Sequence, residues 1–167
     1  MNTKIFTDGS SLGNPGPGGF CAIIEKDGET YIAKGNEDYT TNNRMEMSAI
    51  IAGLYWLRKN YPKESTCAVY SDSSLLIDTM NKGWKRKKNL DLWKKLDSAT
   101  NAFDKISWNW IKGHANHLQN TKADKIAVAE ALKAKKNAGA QKKHPTSKPE
   151  ESKSPTVQNG LFDSENF

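Results

Sequence analysis

The sequence predicts an α/β domain: a mixed five-stranded sheet with helices on both faces, followed by a disordered C-terminal tail. Three observations lead there. The first stretch reads as short strands joined by Gly- and Pro-rich turns. The middle alternates helical and strand patterns. The end loses its apolar residues almost entirely.

Lys4–Asp8 reads as a strand closed by a loop rich in glycine and proline, Gly9 to Gly18. Gly19–Lys26 is a second strand, and Asp27-Gly28 is a hairpin turn into a third, Glu29–Gly35. Asn43–Asn60 is helical, with Glu46, Ala49, Ile50, Gly53 and Leu57 on one face, and it stops before Pro62. Thr66–Ser71 has the composition of a buried strand, and a short helix follows over Ser73–Asn81. Asp91–Phe103 is amphipathic through Leu92, Leu96 and Ala99. Ile106–Ile111 alternates as a strand does, and Thr121–Lys136 is a helix rich in alanine and lysine. No internal repeat is present.

At 167 residues the chain holds one domain and a tail. We expect the domain over Met1–Lys136 and the tail over 137–167, where Pro, Ser, Lys, Gln and Asn offer too little apolar surface to offset the entropy of ordering. In the tail four lysines (Lys142, Lys143, Lys148, Lys153) balance four acids (Glu150, Glu151, Asp163, Glu165). The net charge of +6 therefore sits in the domain, which fits a polyanionic partner. Cys21 and Cys67 lie in apolar stretches without metal-ligand spacing, as buried reduced thiols do. The N-terminus lacks the apolar core of a secretion leader, and no apolar run is long enough to span a bilayer. A cytoplasmic monomer is expected.

Asp8 ends the first strand, Asp72 follows the fourth, Glu46 lies early in the long helix and Asp124 near the start of the last one. Each has an ordinary explanation: a turn for Asp8, a helix cap for Asp72, a capping box from Asn43 to Glu46, a favourable helix dipole for Asp124. The set resists that treatment. Glu46 shares the face that must pack on the sheet, where an unpaired carboxylate costs several kcal/mol. Asp8 and Asp72 both fall at carboxyl ends of strands, where open α/β sheets bind ligands. Hard oxygens without His or Cys suit Mg²⁺, with Mn²⁺ as a substitute. Two such ions about 4 Å apart serve phosphodiester cleavage, one activating water and the other stabilising the leaving oxygen.

These residues sit in five blocks: Thr7-Asp8-Gly9-Ser10, Gly13 to Gly19, Thr40 to Glu46, Tyr70-Ser71-Asp72-Ser73, and Trp110 to Ala115 continuing to Asp124. In that order the chain resembles the ribonuclease H type 1 family from about Thr3 to Leu132. No single block is decisive, but five in order are specific. The resemblance implies an endonuclease that hydrolyses the RNA strand of RNA–DNA hybrids, leaving 5′-phosphate and 3′-hydroxyl ends, in the removal of RNA primers and R-loops. It implies Asp8, Glu46, Asp72 and Asp124 as ligands of two Mg²⁺ ions, and His114 as a histidine that shuttles a proton or helps release product. It implies Gly9 and Ser10 against the RNA backbone, Asn14, Asn42 and Asn43 at base edges in the minor groove, and Thr41 on a DNA phosphate. Ser74 stands among the substrate contacts, where bacterial relatives often carry Gln.

The chain departs from bacterial members that have a basic protrusion. The link from Lys82 to Asn89 is too short for their extra helix, and their DNA-channel tryptophans have no clear equivalents. Lys85, Arg86, Lys87 and Lys88 are expected to replace part of the lost charge. Two other readings keep the fold: another nuclease, integrase or resolvase, and a non-catalytic nucleic-acid-binding module. The histidine loop with Asn42-Asn43 argues against the first, and the presence of all four acids against the second. In the tail, Gln158, Leu161 and Phe162 resemble the Gln-x-x-Leu-Phe peptide by which bacterial proteins bind the sliding clamp, which would tether the enzyme. The residues after Phe162 loosely resemble the acidic, Phe-ended tail of single-stranded-DNA-binding proteins.

Overall fold

The computed structural model describes residues 2–113 and 117–141. Nine elements follow in order: β1 (Lys4–Ser11), β2 (Gly16–Lys26), β3 (Glu29–Thr40), α1 (Asn42–Asn60), β4 (Thr66–Ser71), α2 (Ser74–Lys82), α3 (Leu90–Thr100), β5 (Lys105–Trp110) and α4 (Leu118–Gln141). The five strands form one sheet in the order β3-β2-β1-β4-β5. β1, β2 and β3 pair antiparallel, whereas β1–β4 and β4–β5 are parallel. Mixed pairing follows from the connections: a two-residue turn at Asp27-Gly28, with both φ angles positive, makes a hairpin, while the parallel strands need crossovers carrying helices.

Both faces of the sheet are covered. On one, Ile5, Ala22 and Ile24 join α1 and α3 in the main core. On the other, Cys21 and Ile23 meet Ala123 and Ala127 of α4. α4 comes close because its buried stripe is alanine (Ala123, Ala127, Ala131, Ala134) and because β2 offers Gly19, where a Cβ would lie 2.3 Å from the Ala127 carbonyl oxygen.

Several elements differ from the sequence expectation. β3 continues past Gly35 to Thr40, because pairing with β2 extends to Gly16 across a register shift. α4 begins at Leu118 and continues past Lys136 to Gln141. α1 is buried on more than one side: Met47, Ile51 and Leu54 are as inaccessible as Ile50 and Leu57, since α3 brings Leu92, Trp93, Leu96 and Ala99 into the same cluster. Among the described residues no helix is long and apolar enough to cross a membrane.

Glu130 ties α4 to the edge strand. Its buried carboxylate accepts from Asn36 Nδ2 at 2.8 Å and pairs with Lys34 at 2.9 Å and Lys133 at 2.8 Å. Burial works to raise its pKa, but the bonds from Lys133, Lys34 and Asn36 together outweigh it and hold the carboxyl at about 2, below its ordinary 4.5. A depressed carboxylate stabilises the fold above the unfolded value and loses that contribution as pH falls toward the folded one. The shift alone converts to about 3 kcal/mol, which the half-exposed lysines screen to about 1–2 kcal/mol. Urea unfolding of Glu130→Gln should show the full deficit above pH 4.5 and a shrinking one toward pH 2. A deficit independent of pH would show that the ion cluster does not stabilise α4.

Candidate active site

β1 and β4 run parallel as neighbours, with Thr7 paired to Ser71 as the last pair in register. The residues that follow are Asp8 and Asp72, so the two carboxylates sit side by side where the parallel pairing stops. β1 itself does not end at Asp8 but runs on to Ser11, because Gly9, Ser10 and Ser11 pair with β2. Asp8 remains in β1, buried, opposite Cys21 of β2. Its Oδ1 accepts from the Gly9 N–H at 2.7 Å. The peptide oxygen of Asp72 accepts from Trp110 Nε1 at 3.0 Å. Gly113 packs against the Asp72 carboxylate so tightly that a Cβ there would lie 2.8 Å from Oδ2.

Glu46 reaches the same place from α1. The cap of that helix is Thr41, whose Oγ1 accepts from the Arg44 N–H at 3.4 Å. The capping box that offered an ordinary explanation for Glu46 is therefore absent: the helix starts earlier, and Glu46 lies beyond its first turn with its carboxylate free of capping duty. Instead Asn42 Nδ2 donates to Glu46 Oε1 at 3.0 Å, and the Asn42 N–H is bonded to Asn14 Oδ1 at 3.1 Å. Asn14, Asn42 and Glu46 thus form one chain of contacts from the β1–β2 loop to the acid. Likewise Asp72 does not cap α2, whose N-cap is Ser73.

The electrostatics mark these acids as a cluster. Burial, then repulsion from Asp72, Asp124 and Glu46, pushes the Asp8 carboxyl up to about 8, against a downward pull from the Gly9 N–H. Burial also pushes Glu46 up to about 7, with Asp72 adding to it and hydrogen bonds from Ser73 and Asn42 opposing it. Asp124, half-buried in α4, completes the group that acts on Asp8. Carboxylates held at such cost call for a countercharge.

Among the described residues no three His, Cys, Asp or Glu side chains are already gathered as a finished metal cage. Two of the acids are instead turned onto protein donors, Gly9 and Asn42, bonds that a cation would compete for. The donor set itself fits a hard divalent ion. Cys21, opposite Asp8 in β2, is pushed up to about 12 by burial and stays a neutral thiol, so the ligands on offer are carboxylate oxygens.

Of the expected substrate contacts, Gly9 and Ser10 lie on β1 beside Asp8, and Asn14, Thr41, Asn42 and Asn43 cluster at the start of α1. Asn43 lines a cleft of about 360 Å³ together with Lys85, Arg86, Lys87, Lys88 and Trp93. Ser74 is exposed at the first position of α2 and does not line this cleft. Residues 83–89 carry no helix, as their length required, and Trp84 is exposed there with the Lys82 ammonium 5.1 Å from its ring centre. His114 lies outside the described residues, as do Gln158, Leu161 and Phe162. Sequence reasoning missed the contacts of Ser73 with Glu46, Trp110 with Asp72 and Gly113 with Asp72. All three belong to blocks recognised in the sequence, which gave no sign of these particular contacts.

A family model described as RNase H matches residues 1–132. Relatives named Ribonuclease H include one from Mesorhizobium japonicum, 42% identical over 137 residues, covering 74% of this chain and 75% of its own. Another, from Paramagnetospirillum magneticum, is 44% identical over 139 residues, with 74% and 86% covered. Among solved structures, the N-terminal RNase H domain of rv2228c from Mycobacterium tuberculosis, solved as a fusion with maltose-binding protein, superposes with a TM-score of 0.72 at 32% identity, covering 81% of this chain and 97% of that one. LC11-RNase H1 in complex with an RNA/DNA hybrid gives a TM-score of 0.69 at 26% identity, with 79% and 98% covered.

Proposed function

The chain belongs to the RNase H family, and from that premise we propose that it is an endonuclease hydrolysing the RNA strand of RNA–DNA hybrids by two-metal-ion catalysis. The observation that carries this reading is the buried Asp8, pushed up by burial and by Asp72, Asp124 and Glu46. A relative of the same fold was solved on an RNA/DNA hybrid, which supports the substrate class.

In this reading Asp8, Glu46, Asp72 and Asp124 hold two Mg²⁺ ions, with Mn²⁺ as a substitute. Bound there, the ions supply Lewis acidity at the scissile phosphate and a reactive water. Asp8 and Asp72, fixed by neighbouring strands, set the position of the reacting phosphate, and Asn42 and Ser73 orient Glu46. Gly9 and Ser10 meet the RNA backbone, Asn14, Asn42 and Asn43 meet base edges in the minor groove, and Thr41 meets a DNA phosphate. Ser74 and the lysines of the run, Lys85, Lys87 and Lys88, meet the substrate backbone. His114 moves a proton or helps the product leave. The products carry 5′-phosphate and 3′-hydroxyl ends, and the biological task is removal of RNA primers and R-loops by a cytoplasmic monomer. Gln158, Leu161 and Phe162 tether the enzyme to a bacterial sliding clamp.

One end-labelled duplex, prepared as RNA–DNA, DNA–DNA and RNA–RNA and incubated with Mg²⁺ or EDTA, tests this. Cleavage confined to the RNA strand of the hybrid and abolished by EDTA is the expected result. Cutting of the DNA duplex, or cutting that survives EDTA, would sink the proposal.

A further inference from the structure

The four cations between α2 and α3 are not equivalent. Lys85, Lys87 and Lys88 are exposed, but Arg86 turns inward. Its Nη1 donates to both carboxylate oxygens of Asp97, at 2.8 and 2.6 Å. Its guanidinium lies 4.3 Å from the ring centre of Trp93, a buried residue of the main core, and its Nη2 is 3.7 Å from Met80 Sδ. A second pin holds the far end of the loop. Arg44, early in α1, makes a two-pronged pair with Asp91 at 3.0 and 2.7 Å, and its Nη1 also lies 3.3 Å from Asn89 Oδ1. Gly83 and Asn89, both at positive φ, turn the chain at the two limits of the segment.

A guanidinium with one nitrogen held by a carboxylate, another against a thioether and its face on an indole is turned away from a phosphate at the rim. Its placement does something else. Four like charges on a short irregular segment repel one another and would spread it into solvent. Drawing the second of them onto Asp97 and Trp93 fixes the backbone and leaves its lysine neighbours facing outward at the rim of the cleft. Fixing groups before binding removes an ordering cost that binding would otherwise bear.

We propose that Arg86 is a positioning residue rather than a phosphate contact. Through Asp97 and Trp93 it holds Lys85, Lys87 and Lys88 ready for the phosphates of the hybrid, with Arg44–Asp91 as the second pin. The inference rests on the hybrid-cleaving reading above.

The test uses the full chain, a short hybrid, Mg²⁺ and a series of salt concentrations. Asp97→Asn makes the protein more positive and frees Arg86. If Arg86 were a phosphate contact, KM would fall. Under the proposal KM rises roughly three- to ten-fold with kcat unchanged, the scale of ordering a few side chains on binding. Arg86→Lys, which keeps the charge and loses the planar face on Trp93, raises KM likewise, while Asp97→Glu, which keeps the carboxylate, holds KM near the parent value. The triple change Lys85→Ala, Lys87→Ala, Lys88→Ala flattens the salt dependence of KM by up to about 0.9 log–log units per lost contact. An unchanged or lower KM in Asp97→Asn, a matching loss of kcat, or an unchanged salt slope in the triple variant each overturns the proposal. Amide hydrogen exchange of residues 83–89 in the free protein separates this from failure of the functional reading. Exchange there accelerates in Asp97→Asn whatever the substrate proves to be, and unchanged exchange refutes the latch even in an active hybrid nuclease.

Discussion

Asp8→Asn is expected to lower hybrid cleavage by at least about 10³-fold, and Asp72→Asn to do the same, because each removes charge that holds ions worth several kcal/mol to the transition state. The fold should survive, and in metal-free buffer Asp8→Asn should be the more stable protein. The sign follows from the carboxyl pushed up to about 8 by burial and by Asp72, Asp124 and Glu46. A raised carboxyl costs nothing while protonated in both states, and destabilises the fold increasingly as pH rises from the ordinary 3.8 toward 8. Asparagine never ionises, so the variant should match the parent near pH 4 and exceed it on the order of 2 kcal/mol near pH 8, after allowance for relaxation of the cluster. Single-turnover cleavage and thermal melting at several pH values measure both halves. Parent-like cleavage in either variant would remove the acids from the mechanism, and a less stable Asp8→Asn at pH 8 would contradict the crowding of charge.

The sequence revealed this much because the logic of strand ends is local. Asp8 lies in one readable strand and Asp72 follows another, and parallel pairing of those strands suffices to bring them together. Glu46 was legible through a conflict, an acid on a face otherwise made of Ala49, Ile50, Gly53 and Leu57. The start of its helix was harder. Thr41, Asn42 and Asn43 are all plausible caps, and Asn43-to-Glu46 spacing imitates a capping box, so only the bond from the Arg44 N–H to Thr41 decides the matter. The burial of Met47, Ile51 and Leu54 depends on α3, which arrives from far along the chain. The end of β3 depends on its partner: Asn36 to Tyr39 are polar and exposed, and the strand continues through them because β2 pairs with Asn36, Glu37 and, past the register shift, Thr40. Arg86 shows the same limit at a side chain. Nothing in a run of basic residues says which one will find Asp97.

Gly9→Ala should damage both the fold and the site. A Cβ at Gly9 would lie 2.2 Å from the Glu46 nitrogen, 2.3 Å from the Met45 carbonyl carbon and 2.8 Å from Met45 Cβ. Two of those atoms are backbone, so no rotamer change relieves the clash. α1 cannot simply retreat, because α3 packs on it and Met45 is fully buried. The strand and helix must separate locally, at a cost of about 3 kcal/mol for overpacking a closed core. Glu46 moves with α1 away from Asp8, and a displacement of about 1 Å at a reacting centre is enough to slow catalysis about 10²-fold. Gly113→Ala provides the contrast. There the added carbon meets the Asp72 Oδ2, the end of a side chain, at 2.8 Å. That carboxylate can swing aside, so Gly113→Ala should keep most of its stability and lose activity through a displaced Asp72. Urea midpoints and single-turnover rates of the two variants distinguish them: Gly9→Ala loses both, Gly113→Ala chiefly the rate. A parent-like midpoint in Gly9→Ala would mean that β1 and α1 do not meet at this glycine, and that the close approach does not set where Glu46 stands.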